Sequence, residues 1–307
     1  MRAFLAVASG GGYSRAAEAV HRTQPAVTAS VKALERELGI ALFERRGRRA
    51  ALTPAGEALV AEAGPALNLW ECLSDRLKER LSGEAQGVLR IGAGEATVLY
   101  LLPPILSTFQ KKHPKVRIVI HHQRTEETLR MLNAGELDFG VRTLTVIPAW
   151  AVYRPSMHYA RVAVCAKRHP FARGGVVKLA ELAKHPLLFP GAQSITRALV
   201  EKALTTAGHT YAVGLEAGGW EAIKRYAAEG LGVAVVPELC LTKEDRTRLA
   251  VRPTGDLFGK DSYGVVMRRG TLLGAAAKEM IRQLDPEYPL GEGGKTNREG
   301  VLGGLTV

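Results

Sequence analysis

The apolar residues of this chain change their period once. From Arg2 to Leu81 they recur at helical spacing only, broken by short turns and one basic loop; from Val88 onward, β-branched runs alternate with amphipathic stretches. One core of one kind cannot satisfy both patterns. The first part must form a helical module and a long helix, and the second an α/β module, in which strands joined by crossover helices imply right-handed βαβ units and a parallel sheet. Strands are expected at Val88 to Ile91, Val116 to His121, Leu137 to Val141, Arg161 to Ala166, Tyr211 to Leu215, Val233 to Val236 and Tyr263 to Met267. Helices are expected at Leu101 to Lys112, Glu126 to Ala134, Ser194 to Ala207, Glu221 to Glu229 and Ala275 to Leu284. A length of 307 residues fits two or three such units.

Composition removes several function classes. No apolar run approaches the roughly 20 residues that cross a bilayer, and the first ten residues continue into an amphipathic helix instead of a leader, so a cytoplasmic protein with no membrane partner is expected. Cys72, Cys165 and Cys240 stand far apart with no CxxC among them, which leaves neither a disulfide framework nor a zinc ribbon. Lys and Arg number 42 against 30 Asp and Glu, a formal net charge of +12, and this excess suggests a polyanionic partner. Residues 1–64 carry only nine basic and six acidic side chains, so any nucleic-acid contact there must come from local clustering.

That clustering is present. Phe4, Leu5 and Ala8 carry a first helix ended by Gly10 to Gly12, and Ser14 begins a second through Ala17 to Val20. Thr23 is placed to cap a third, with Pro25 tolerated in its first turn. Val27, Val31, Leu34 and Leu38 form its buried face, while Gln24, Thr28, Ala29, Lys32 and Arg36 lie opposite. Short polar side chains near the helix start with cations further along suit major-groove readout flanked by phosphate contacts. A basic hairpin follows, with Arg45, Arg46, Arg48 and Arg49 around Gly47, and can lie along a phosphate backbone; alone it would read as a solvated turn.

These residues resemble the LysR-type transcriptional regulators. The matching stretches are Phe4 to Ala8, Ser14 to Ala17, Gln24 to Thr28, Leu34 to Gly39, Leu42 to Arg45 and Leu52 to Gly56, all in register. The resemblance implies an all-α winged helix-turn-helix at residues 1–57 that binds double-stranded DNA. Ser14, Arg15, Thr23, Gln24, Pro25, Thr28, Ala29, Lys32 and Arg36 would be at or beside the reading face, and Arg45, Arg46, Arg48 and Arg49 in the wing.

Leu59, Ala63, Ala66, Trp70, Leu73 and Leu77 are spaced as an a/d seam on an otherwise polar helix, residues 58–86. Such a seam either packs on its own chain or pairs with another copy, and the resemblance implies a homodimer or homotetramer. Gly64-Pro65 inside this helix predicts a kink.

The second module contains decoys. Val88 to Gly94 imitates a dinucleotide-binding turn, but Thr97 stands where the third glycine belongs, Pro103-Pro104 interrupt the following helix and the next strand ends without a ribose-binding acid. Gly291 to Thr296 imitates a P-loop without its first glycine. His121 and His122 point to opposite faces of a strand, and neither a metal cluster nor a nucleophile motif is apparent, so no cofactor and no enzymatic activity are expected. Cys165 and Cys240 suggest a peroxide sensor only weakly, since they lie far apart and neither has adjacent basic residues, and buried thiols are expected instead. Leu101 to Pro103, His113-Pro114, Leu132 to Asp138, Arg168 to Pro170, Ala228 to Val233 and Arg268 to Gly270 resemble effector-domain landmarks of the same family.

The resemblance then implies a two-lobed, periplasmic-binding-protein-like effector module at 87–285. Subdomain I covers 87–160 and 263–285 and subdomain II covers 161–262, with a hinge near Ala160 and Ser262 and a flexible tail at 286–307. An anionic small-molecule effector is expected between the lobes, where helix amino termini attract negative charge. Candidates placed by the resemblance are the segment from Glu95 to Tyr100 with Thr97, Leu99 and Tyr100, then Arg124, Thr125, Arg142, Thr143, Gln193, Ser194, Thr196, Gly219 and Trp220. Ser194 and Thr196 could equally serve only to cap a helix. RNA polymerase stands as a further expected partner.

Overall fold

The computed structural model describes residues 1–10, 12–46, 49–82, 85–192 and 194–290. α1 (Arg2–Gly10), α2 (Tyr13–Ala19) and α3 (Gln24–Leu38) bury Phe4, Val7, Ala16, Ala17, Val27 and Val31 against one another. Gly39 sits at φ 67°, a left-handed position that a residue without Cβ adopts at no steric cost, and stops α3. β1 (Phe43–Arg46) and β2 (Arg49–Leu52) form an antiparallel hairpin with Arg46 opposite Arg49. α4 (Pro54–Ser82) then runs 29 residues. Pro65, expected to kink it, lies inside one continuous helical segment.

The second module begins with β3 (Gly87–Ala93), α5 (Leu102–Lys112), β4 (Val116–His122), α6 (Thr125–Asn133) and β5 (Phe139–Arg142). β6 (Ala151–Ala166) leads to α7 (Leu179–Leu182), β7 (Leu187–Phe189), α8 (Ile195–Thr206), β8 (Val213–Glu216), α9 (Trp220–Ala228) and β9 (Val233–Pro237). α10 (Asp245–Arg248), β10 (Leu249–Pro253), β11 (Lys260–Arg268) and α11 (Ala275–Leu284) complete it.

The strands are not all parallel, which corrects the expectation. β3 pairs parallel with β4 and β5, and β7 parallel with β8 and β9, but β11 is antiparallel to β5 and β6, and β6 to β9 and β10. The cause is the connection between lobes. β6 carries the chain out of one lobe and β11 brings it back after the whole second lobe, so the two lie side by side in opposite directions from Ala151↔Arg268 to Ala160↔Lys260. β6 is thus 16 residues long, where only Arg161 to Ala166 had a strand pattern. Its first ten residues include Arg154, Pro155, Ser156 and His158 and show no clean alternation.

Each lobe has its own core. In the first, Ile91, Leu102, Phe109, Phe139, Val265 and Met280 are buried together; in the second, one cluster around Phe171, Leu182 and Phe189 and another around Val164, Ile223 and Val236 cover the sheet. The expected tail is shorter at its start than 286–307. Tyr288 is buried in the first core and donates its hydroxyl hydrogen to Val152 O, and Arg154 pairs with Asp285 and Glu287. The P-loop imitation at Gly291 to Thr296 falls outside the described residues.

Candidate functional site

Two regions gather the residues singled out above. In the head, Thr23 caps α3 by accepting from Ala26 N–H at 3.4 Å, and Pro25 occupies the first turn. With Val27 and Val31 buried, the opposite side of α3 is left to solvent: Gln24, Pro25, Ala29, Lys32 and Arg36 are exposed and Thr28 half-buried. Exposed Ser14 and Arg15 stand beside them, and the Ser14 hydroxyl donates to Gln24 Oε1 at 3.1 Å. The Thr28 hydroxyl donates to Gln24 O at 2.9 Å, so toward a partner it offers an acceptor oxygen and a methyl group. The hairpin backbone places Arg45, Arg46 and Arg49 on β1 and β2, while Arg48 lies outside the described residues.

Sequence reasoning missed what holds this hairpin to α3. Glu35 Oε1 accepts from Leu42 N–H and Phe43 N–H at 2.8 and 3.2 Å, tying the end of the helix to the base of the wing. The Glu-x-x-x-Gly-x-x-Leu spacing contained no signal of its own, because Glu35 falls on what looks like a solvated helix face.

α4 divides its seam. Leu59 packs on the head core and Ala63 is buried, so the first part is satisfied within the chain. Ala66 is exposed, and Trp70, Leu73, Leu77 and Leu81 are 64%, 48%, 61% and 81% exposed. Between these halves α4 touches the first lobe so closely that a Cβ on Gly64 would lie 1.6 Å from Ala134 O. Gly135 faces it at φ 68°. Beside this crossing a void of about 530 Å³ separates α1 and α4 from α6.

The second region is a cleft of about 200 Å³ between the lobes. Thr97, Thr125, Arg142, Thr143, Ser194, Thr196 and Trp220 line it together. Thr97 is buried at the start of a π-helical turn, Thr97–Leu101, that precedes α5. Arg142 ends β5 and is 7% exposed; it donates to Gln123 O at 2.9 Å and to Thr125 Oγ1 at 2.6 Å. Burial lowers its pKa against the opposing pull of Glu126, which lies beyond ion-pair distance. Ser194 caps α8 by accepting from Arg197 N–H at 3.4 Å, whereas buried Thr196 accepts from Arg161 Nε at 3.4 Å.

Other candidates lie elsewhere. Leu99 is 45% exposed, Arg124 is exposed at the α6 terminus and neither lines the cleft; Gln193 lies outside the described residues. The Gly219–Trp220 terminus is already bonded by a carboxylate, that of Glu95, at 2.8 Å from Trp220 N. Tyr100 donates to Glu221 across the cleft instead of lining it. A residue missed from sequence lines the cleft: Asp261 pairs with Arg161, both buried, at the point where β6 and β11 pass between lobes. Burial pushes the Asp261 carboxyl above its ordinary range against the opposing pull of Arg161. Arg161 and Asp261 are 100 residues apart and no local pattern pairs them.

Two of the thiols are poor nucleophiles. Cys165 and Cys240 are buried, and burial pushes Cys165 up to about 11 and raises Cys240 as well. A thiol with so little thiolate is a poor nucleophile. At pH 8, alkylation by iodoacetamide followed by peptide mass mapping should leave Cys165 and Cys240 unmodified until denaturant is added; modification of either in the folded protein would contradict this. Among the described residues no group of three or more metal-ligating side chains occurs, and no helix is long and apolar enough to cross a membrane.

Comparison with known proteins turns on both modules. Residues 1–57 match the bacterial regulatory helix-turn-helix protein model of the lysR family, and residues 82–288 the LysR substrate binding domain. The chain belongs to the LysR family. It is a LysR-type transcriptional regulator with a DNA-binding head and a substrate-binding module. Over 283 residues it is 31% identical to the RuBisCO operon transcriptional regulator of Allochromatium vinosum, covering 90% of this chain and 91% of that one. Its fold is similar to full-length OxyR of Pseudomonas aeruginosa, with TM-score 0.72 and 24% identity over 92% of this chain and 94% of that one. CbnR in complex with its target DNA is similar at TM-score 0.60 and 23% identity, covering 92% and 97%.

Proposed function

We propose that this LysR-type regulator reads a partly palindromic promoter site with α3 and the β1–β2 wing, and that a small anionic effector in the cleft changes the bend or half-site spacing of the bound DNA. The working units are residues 1–57 for DNA, 58–86 for pairing two copies and 87–290 for the effector, with the packed Tyr288 included in the last. Gln24, Pro25, Thr28, Ala29 and Lys32 form the reading face, flanked by Ser14, Arg15, Thr23 and Arg36, and Arg45, Arg46, Arg48 and Arg49 track phosphates. The protein acts in the cytoplasm as a homodimer or homotetramer, catalyses no reaction and engages RNA polymerase at the promoter.

The observation that carries the effector reading is Arg142. A buried guanidinium held by Gln123 O and Thr125 Oγ1, with Glu126 as a counter-charge beyond ion-pair distance, is costly unless an anion completes it, and Thr97, Thr125 and the start of α8 offer further donors around it. The opening of about 200 Å³ is smaller than the roughly 300–1,000 Å³ of drug-sized pockets, which favours a small metabolite or inorganic oxyanion.

Selection of bound fragments from the source genome, with footprinting and a salt series, tests the reading. Protection of adjacent symmetric half-sites at a few promoters is expected. Thr28→Ala should cost ~1–3 kcal/mol of operator affinity, and Lys32→Ala should lower the salt slope by about one, both without changing effector affinity. Uniform enrichment that merely collapses as salt rises would mean phosphate binding without base readout. A panel of small carboxylates, phosphates and sulfate, followed by thermal melting, should find a stabilising anion whose effect is lost in Arg142→Met and weakened in Thr97→Val.

A further inference from the structure

The two ends of the cleft differ in charge. At the α8 end, Thr97, Thr125 and Arg142 line open space beside Ser194 and Thr196. At the other end, the N-terminus of α9 already holds an anion from the opposite lobe. Glu95, which follows β3 in the first lobe, places Oε1 2.8 Å from Trp220 N and 3.5 Å from Glu221 N in the second. Gly219 makes room for it: at φ 84°, a Cβ there would stand 2.6 Å from Oε1 and 2.9 Å from Oε2. A second contact lies five residues on, where the Tyr100 hydroxyl donates to the Glu221 carboxylate and the Tyr100 ring lies under Lys224 Nζ at 4.9 Å. Lys224 is itself buried and held by Asp245 and Cys240 O, so the ring rests on a fixed support.

Both contacts join the segment from Glu95 to Tyr100 to one helix of the second lobe. The lobes are also connected through β6 and β11, a two-strand hinge, and by the packing of Ala96 and Tyr100 with Trp220, Leu239 and Cys240. Contacts on the far side of a hinge decide which angle is populated, since the strands themselves can bend by a few residues' backbone rotation. A carboxylate on a helix N-terminus is also what such a site would take from a free anionic ligand.

We propose that Glu95 is a built-in anionic ligand of this protein: it fills the α9 end of the cleft, holds the two lobes together in the absence of effector, and confines the effector to the α8 end. Given the effector reading above, on which only this last clause rests, the cleft then selects a molecule with a single oxyanion. A second anionic group reaching α9 meets like charge and has to displace Glu95. Glu95 is in this sense a specificity-determining residue.

The distance between spin labels at Lys111→Cys on α5 and Lys202→Cys on α8, both exposed positions, tests the latch in the full-length, ligand-free chain carrying Cys72→Ser. The parent should give one narrow distribution. Glu95→Ala should shift it to longer distances and broaden it, and Glu95→Gln, whose amide oxygen still accepts from Trp220 N–H, should fall between. Millimolar sodium sulfate should narrow the Glu95→Ala distribution by taking the vacated α9 position and leave the parent unchanged. A Glu95→Ala distribution superimposable on the parent would reduce Glu95 to a local helix cap and overturn the proposal, as would a parent that is already broad. If Glu95→Ala fails to fold, Glu95→Gln combined with Tyr100→Phe gives the same decision: widening supports the latch, no change refutes it. The ligand-free distances do not depend on what the effector is, so failure of the effector reading, seen as anion binding indifferent to Arg142→Met, is a separate result.

Discussion

Replacing Trp70, Leu73 and Leu77 together by Glu is expected to turn the protein into a monomer and to lower its operator affinity by about two orders of magnitude or more. Each of these side chains is largely exposed on α4, and burying a large apolar side chain contributes ~1.5–3 kcal/mol. A two-fold interface uses every residue twice, so the seam supplies on the order of 10 kcal/mol before association costs are subtracted. Losing it lowers dimer affinity by at least about 1,000-fold. The operator effect follows because a dimer binds its second half-site at an effective concentration that raises avidity by ~10²–10⁴. Sedimentation velocity reads the first effect and footprinting titration the second. A dimer that survives the triple substitution would show that copies associate through another surface and that the exposed half of α4 has a different purpose.

Gly64→Val should have the second-largest effect, through a contact made without any side chain. The added Cβ would fall 1.6 Å from Ala134 O, and both partners are backbone, so neither can yield by choosing another rotamer. Overpacking ordinarily costs ~1–3 kcal/mol when side chains can move; here the cost is at or above that range. The void beside the crossing offers the cheaper escape. α4 should lift from the first lobe while the lobe cores, which do not include Gly64, keep their packing. Amide exchange should rise at residues 61–68 and at Ala134 and Gly135 with little change at Phe139 to Val141. Unchanged exchange at all of these positions would mean that α4 and the lobe do not touch in solution. Gly135→Ala, whose Cβ would lie 2.8 Å from Gly64 C at a left-handed φ, should do the same less severely.

Gly64-Pro65 predicts a kink from local sterics alone, and its glycine also makes a contact that the sequence does not show. A glycine and a proline in a helix are locally a weak point, and nothing local says that a second backbone passes within contact distance. The seam shows the converse. Its spacing was legible, but whether it faces its own chain or another depends on what lies beside it, and the fold answers differently for Leu59 and Ala63 than for Trp70, Leu73 and Leu77.

What the amino-acid order determines by itself is periodic or adjacent: the capped α3 with Val27 and Val31 inward and Lys32 outward, the arginine hairpin, and the helical-to-α/β change near residue 87. These follow from forces acting within one or two turns of chain, namely backbone sterics, capping and the segregation of apolar side chains. The tertiary structure decided what long-range geometry alone can bring together: the antiparallel return of β11 along β6, the Arg161–Asp261 pair spanning 100 residues, the burial of Tyr288 and the seating of Glu95 on Trp220. Each joins groups whose pairing energy exists only after loop closure has been accomplished by the cores of both lobes, and for that reason no local pattern encodes it.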